Sequence, residues 1–567
     1  MEYQVLSPRG EVDPLKITGL NPRVSDLNNK TIGLFATFKK HWVLILDEIG
    51  RQLQQRYTGI KIKRFQYTED LNSYTQVAEI GKDDKVRPVF DEWLKDVDIV
   101  LCGNADAGSC TLYLTYNATY PERAGKPLVL MVNHEFTNLA KSAAALRGVP
   151  ALRYVEIDIP DISNETDIKE YIDTYIPQKV AAVLDKIIAA ATSPLTPEEK
   201  SPEIPAQNLP RIVHKGSLDE INKFFYKQGW AYGMPVMPPT EEAVREMMKG
   251  TDLPPDHVVA KIPPMMGKAT VERIAVNAVM AGCLPTYMPA IIAAVEAIVD
   301  PRMWLEAYTC SVASWEPLLI INGPIRHDLH VNSGVSLFSP YYKANASIAH
   351  ALGLIIMNIA GIRSGVEDKG IFGHEGHFGV CIAENEEASP WEPMHEFYGL
   401  KKQDSAVTVF WPHMRQIGMF GKHLGGILKG ICDGVTAFGF DPGCAFIFCP
   451  ETASFLNDNG FSRKNLTAYI YEYARKPATE VNIRWMKGNN HIPKYMPLPE
   501  DPTRSARKFF SSLHLPILVG GLNYSWGVAM YSGGGDHGGP ITKKVDLPKN
   551  WKKLVDEYKD IKPVAYI

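Results

Sequence analysis

Between residues 30 and 191 the chain alternates short apolar runs with stretches whose apolar residues recur at helical spacing, and no other feature narrows the fold so far. "KTIGLFATF", "GIKIKRFQY", "VDIVLCG", "KPLVLMVN" and "ALRYVEID" read as strands. "WVLILDEIGRQLQQRY", "RPVFDEWLKD" and "FTNLAKSAAALRG" read as helices, and "CTLYLTYNATYPER" as a helical turn or two. Strands separated by helices of this size need crossover connections, which implies a parallel sheet with helices on both faces. The helix "DIKEYIDTYIPQKVAAVLDKIIAAA" then closes the unit.

The expectation is an α/β chain whose residues 1–191 form a doubly wound domain of the flavodoxin or Rossmann kind. Residues 192–212, rich in proline and charge and without periodicity, read as a linker. Residues 213–567 then form a larger mixed α/β or α+β domain that completes the pocket. Ser217, followed by Asp219 and Glu220, reads as a helix N-cap at its start. The apolar segments 270–283, 285–300 and 344–361 read as helices buried nearly all round. "PLLIING", "AVTVFW", "CAFIFC" and "LPILVGG" read as strands.

A formal charge of -4, from 60 basic and 64 acidic side chains, gives no broad field for gripping a phosphate backbone. The opening "MEYQVLSPRGEVDPLK" lacks a signal-peptide core, and no run of about 18 apolar residues occurs. Eight scattered cysteines form no disulfide framework and read as reduced thiols. The expected setting is therefore cytoplasmic. The expected partners are a small-molecule substrate and further copies of the chain, with neither nucleic acid nor membrane among them.

Within "VDIVLCGNADAGSCTLYL" a buried strand hands over to a helix at Cys110. In an open parallel sheet, ligands bind beyond the carboxyl ends of the strands, where strand order reverses. A helix beginning near Ser109 and Cys110 points backbone N–H groups and its positive dipole end at the sulfur, which favours thiolate over thiol. The competing reading makes Cys110 a small apolar residue filling a tight corner. Cys102, inside the strand run, reads as core.

The segment "GNADAGSCT", followed by a helix and "KPLVLMVNHEF", resembles the UGSC-motif family, in which selenocysteine or cysteine, glycine, serine and cysteine follow a small-residue turn. Locally it is also similar to the selenoprotein B component of glycine and betaine reductases. Lys39, "INGP", "NSGVSLFSP", "ANASI" and "CIAENEEASPWEP" look like further family features. The resemblance implies redox or carbon–sulfur chemistry by a chalcogen pair, the first member attacking or being oxidised and the second, three residues on, resolving the adduct by thiol exchange. Here the second position is Cys110, but the first is Ala107, which cannot attack. Either the chain works with Cys110 alone, or a cysteine has been replaced by alanine to stop turnover. The intact remainder of the motif, Asp106 included, favours the second.

Around the thiol, Glu135 and His134 are candidates for moving protons. Lys39, Asp106, Gly108 and Ser109 are candidates for holding substrate, each with an ordinary turn or loop role as the alternative. His374 and His377, three apart in "GHEGH", allow a metal-dependent lyase or hydrolase, though no third ligand is fixed. Glu384, Glu386 and Glu387 read as acids, ligands or a capping turn. "SGGGDHGGP" reads as a close-approach loop or a surface turn. A dinucleotide fingerprint and a Walker A loop are both missing. The expected function is a thiol-dependent reductase or an enzyme making or breaking carbon–heteroatom bonds, needing no organic cofactor or metal but using an external thiol reductant. A non-catalytic subunit of a reductase complex is the alternative that Ala107 raises.

Overall fold

The computed structural model describes residues 1–36, 40–65, 79–105, 107–159, 168–204, 209–373, 379–437, 443–477, 505–507, 515–533 and 540–563. Its first strand, β1 (Tyr3–Leu6), lies apart from the unit that follows it in the chain. That unit comprises β2 (Thr31–Ala36), α1 (Lys40–Arg56), β3 (Lys61–Arg64), α2 (Val86–Lys95), β4 (Ile99–Ala105), α3 (Gly108–Arg123), β5 (Leu128–Val132), α4 (Thr137–Leu146) and β6 (Tyr154–Glu156). The sheet order is β3-β2-β4-β5-β6, with every pair parallel. Chain order reverses between β2 and β4, so the loops after these two strands flank the switch point.

Alternate side chains of the sheet feed two separate cores. Ile32, Leu34, Ile99, Leu101, Val129 and Met131 pack under α1 and the helix Ile176–Thr192. Phe35, Val100, Cys102, Leu128 and Leu130 pack under α2, α3 and α4. Cys102 is sealed in this core, as the sequence implies, and burial drives its thiol pKa well up. The doubly wound fold is therefore present.

Two elements differ from expectation. The segment read as a turn or two is the 16-residue helix α3, with Pro121 inside it. Its sequence lacks an amphipathic stripe because it is enclosed, with the sheet on one side and the C-terminal unit on the other. Within the stretch read as a linker, Pro197–Lys200 form a short helix with a Thr196–Glu199 capping box, and Glu199 is held by Arg153 at 2.7 Å. Proline and charge here serve capping and docking.

β1 pairs antiparallel with β7 (Ile212–Gly216), beyond that segment, and Val5 and Leu6 enter the C-terminal core. Ser217 accepts a hydrogen bond from the Glu220 amide in a full capping box, as its sequence position implies. The C-terminal region builds two mixed four-stranded sheets, one centred on Leu318–Asn322 and Ala406–Phe410, the other on Cys444–Phe448 and Gly527–Gly533. Leu318 and Ile320 meet Ala445 and Ile447 between the sheets. Leu319 and Ile321 face the apolar helices Val271–Met280, Met288–Ile298 and Lys343–Ile355, while Phe446 and Phe448 face the helices over 424–437 and 450–473. The layers run helix, sheet, sheet, helix. No helix among the described residues is long and apolar enough to cross a membrane.

Candidate functional site

The motif turn ends β4 and opens α3. Ala107 takes the N-cap position with extended backbone (φ -152°, ψ 157°), and its carbonyl accepts the Thr111 amide at 2.8 Å. A methyl group there cannot accept from the first-turn amides as Ser, Thr, Asp or Asn would. Ser109 is half-buried, and Cys110 sits within the first turn at 5% exposure. The thiol is thus at the helix start, as the sequence places it, but it is covered rather than open to a cleft. Asp106 and Lys39 lie outside the described residues.

What covers the helix start is the C-terminal unit. A Cβ on Gly108 would stand 1.5 Å from the Cys310 carbonyl oxygen, so only glycine permits this backbone approach. The short helix Leu305–Cys310 runs along α3, with Leu112, Tyr113 and Tyr116 packed against Ala307 and Cys310. Tyr113 and Tyr116 donate their hydroxyls to Glu306 at 3.1 and 3.3 Å, and Arg147, ion-paired to Glu79 at 2.6 Å, lies 3.4 Å from the Tyr116 ring centre. Burial raises the Glu306 pKa. This polar seam fixes the two units against one another.

Immediately beside that contact is a cavity of about 860 Å³ lined by both units. The doubly wound unit contributes Asn133, Glu135 and Phe136, and the C-terminal unit contributes Ser311, Tyr308, Trp315 and the loop after Ile362, among others. Cys110 does not line it; Ser311, against whose Cα Gly108 packs, does. Tyr308 meets Trp315 edge-on at 4.6 Å, and His413 lies 4.4 Å from Trp315 on another side, so the aromatic wall is braced. Glu135 was singled out from the sequence, but Tyr308, Ser311 and Trp315 were not. "YTCSVASWEP" carries their only signal, a polar and aromatic break between two apolar segments.

Glu135 and His134 stand together on a one-turn helix, His134–Phe136, whose N-cap Asn133 accepts the Glu135 amide at 3.1 Å. His134 is gripped from two sides, Nδ1 by Asp158 at 2.9 Å and Nε2 by Glu135 at 3.0 Å. The hydrogen bond and charge of Asp158, with Glu135 adding less, raise the imidazole pKa. Burial works against it, but the hydrogen bonds from His134 lower the Asp158 pKa. Glu135 of this pair lines the cavity.

The acidic run of the C-terminal unit is occupied structurally. Glu384 is fully buried, accepting from Asn322 at 2.6 Å and the Met394 amide at 2.7 Å and paired with Arg463 at 3.2 Å; burial raises its pKa. Glu386 accepts from the Gly323 amide at 2.7 Å and Arg326 at 3.0 Å. Arg326 also grips Glu387 at 2.9 Å and holds its carboxyl down to about 2. These carboxylates fasten "INGP" to "AENEE". His374 and His377 lie outside the described residues, among which no group of three His, Cys, Asp or Glu side chains is placed to hold a metal ion. Most of "SGGGDHGGP" lies outside them too.

No curated protein and no solved structure matches the chain. The model of the UGSC family matches residues 4–191, the stretch that holds the doubly wound sheet and the motif turn, so the downstream segments that look like family features fall beyond the match. Over this N-terminal third, which holds the parallel sheet and the Gly-Ser-Cys helix start, the chain is similar to the UGSC family.

Proposed function

We propose that the protein is a thiol-dependent enzyme that acts on a small organic molecule held between its two units, with Cys110 as the nucleophile. One observation supports this above the others: the Gly108–Cys310 contact joins the family's motif helix to the wall of the interdomain cavity, whose rim carries Glu135. A mostly apolar cavity edged by a few polar groups is the usual setting for a small-molecule site. In this reading the Cys110 sulfur bonds to an electrophilic carbon next to a carbonyl-type group, and the bond from that carbon to its heteroatom breaks. The departing group takes the electron pair and a proton from the His134–Glu135 unit.

A second thiol then attacks the adduct sulfur. The carbon leaves with the electron pair and is protonated, hence reduced, while a disulfide forms on Cys110. A further thiol releases that disulfide. A cysteine at position 107 would take the attacking role and leave Cys110 to resolve the adduct within the chain; with Ala107, Cys110 attacks and an external low-molecular-weight thiol resolves. Because Cys110 is covered, turnover requires the α3 start and the helix Leu305–Cys310 to part.

Ala107 and the burial of Cys110 also favour a second reading, a non-catalytic subunit of a reductase complex. Mass spectrometry of Ala107→Cys protein after incubation with carbonyl-activated electrophiles and dithiothreitol separates the two. The enzyme reading expects substrate mass on residue 107 or 110 and thiol-dependent turnover at least about tenfold above the unchanged chain, a gain of about 1.4 kcal/mol in barrier. No adduct and no turnover establishes the subunit reading instead.

A further inference from the structure

The cavity between the units carries a chemical preference of its own. Lys369 lines it, and its ammonium has a defined position: Nζ donates to the Gly365 carbonyl at 3.3 Å and lies 5.5 Å from the centre of the Phe136 ring. Gly365 and Phe136 also line the cavity, one from each unit, so the ammonium stands in the wall where the units meet. A lysine has three N–H donors. Among the described residues Lys369 has a single hydrogen-bond acceptor and no carboxylate within ion-pairing distance.

The two lining acids are engaged elsewhere. Glu135 is held by His134 at 3.0 Å, and Asp368 accepts the Gly370 amide at 3.0 Å. The loop bearing Lys369 is itself fixed: buried Glu367 accepts from Ser142 of α4 at 2.5 Å and pairs with Arg363 at 2.6 Å, tying the loop to both units. A cation held in place with no counter-ion among the described residues, in a cavity that also has a braced aromatic wall, is complementary to an anion on an apolar body. Among the described lining residues there is one ammonium, so a single negative charge fits better than two.

We infer that the cavity binds a monocarboxylate with a flat, aromatic body, its carboxylate on Lys369 and its ring on the Tyr308–Trp315 wall. This rests on the cavity being the substrate site, and it names the class of substrate.

The test reads binding and not turnover, so it stands or falls apart from the role of Cys110. Quenching of tryptophan fluorescence, with calorimetry as a check, is followed for 2-naphthoate, 2-naphthamide and 2-naphthylmethylammonium on the full chain. The unchanged protein is expected to bind the carboxylate at least about tenfold more tightly than the amide, and the ammonium most weakly. Lys369→Met removes the preference and leaves amide affinity within about twofold, while Lys369→Arg retains it; thermal melts confirm that both variants fold. The same carboxylate preference in Cys110→Ser protein, should that protein lack turnover, leaves the inference intact. Failure to bind naphthoate, equal binding of the three probes, or a preference that survives Lys369→Met overturns it.

Discussion

His134 sits between two carboxylates on an exposed turn, and its protonation is the clearest residue-scale consequence of the site. The raised imidazole pKa means that the Asp158 contact favours the folded state fully below the unfolded histidine value, about 6.5, and that this support disappears as pH rises through the folded value. Asp158→Asn removes the largest contribution. In a proton NMR titration the His134 pKa is expected to exceed that of an isolated histidine in the parent protein and to fall in the variant; equal values in both would remove the proton-holding role. The sequence made His134 and Glu135 visible, since "MVNHEF" ends a strand. It did not show Asp158, 24 positions away, as the partner, because strand neighbours set by register are not encoded in local spacing.

At the scale of elements, α3 and the helix Leu305–Cys310 form the decisive pair. Gly108→Ala drives a methyl group into the Cys310 carbonyl, a backbone atom with no rotamer escape. The cost is expected to be at least about 2 kcal/mol, read as a lower denaturation midpoint in urea. Ser109→Ala, at a half-buried position in the same turn, is the control and changes stability by less than about 0.5 kcal/mol. The strands and helices of the doubly wound unit were legible because a two-faced parallel sheet imposes unmistakable apolar runs. The length of α3 was hidden because burial on all sides erased its stripe. The Gly-Ser-Cys turn was legible as a helix start, while its cover was not: nothing near residue 310 announces that it meets residue 108. The glutamate run read as acids, ligands or a capping turn is bound up in Arg326, Arg463 and Asn322, partners contributed by distant segments.

On the scale of the whole molecule, the two units are joined by more than a tether. β1 completes a sheet with β7, and buried Arg273 and Asn277 donate to the carbonyls of Ser7 and Pro8 at 2.7 and 3.0 Å. Deleting residues 1–9 is expected to expose the core around Val5 and Leu6 and to destabilise the C-terminal unit by several kcal/mol, on the order of 1.5–3 for each buried side chain lost. Limited proteolysis and calorimetry of the truncated chain check this; an unchanged melting profile contradicts it.

In topological terms the doubly wound unit is an insertion, spliced between two hydrogen-bonded strands of another body. β1 therefore has no partner until some two hundred further residues have emerged from the ribosome. The inserted sheet forms from local βαβ pieces in the meantime. Closure of the site, which needs Cys310 seated on Gly108, comes later still, so the motif thiol spends much of biosynthesis uncovered.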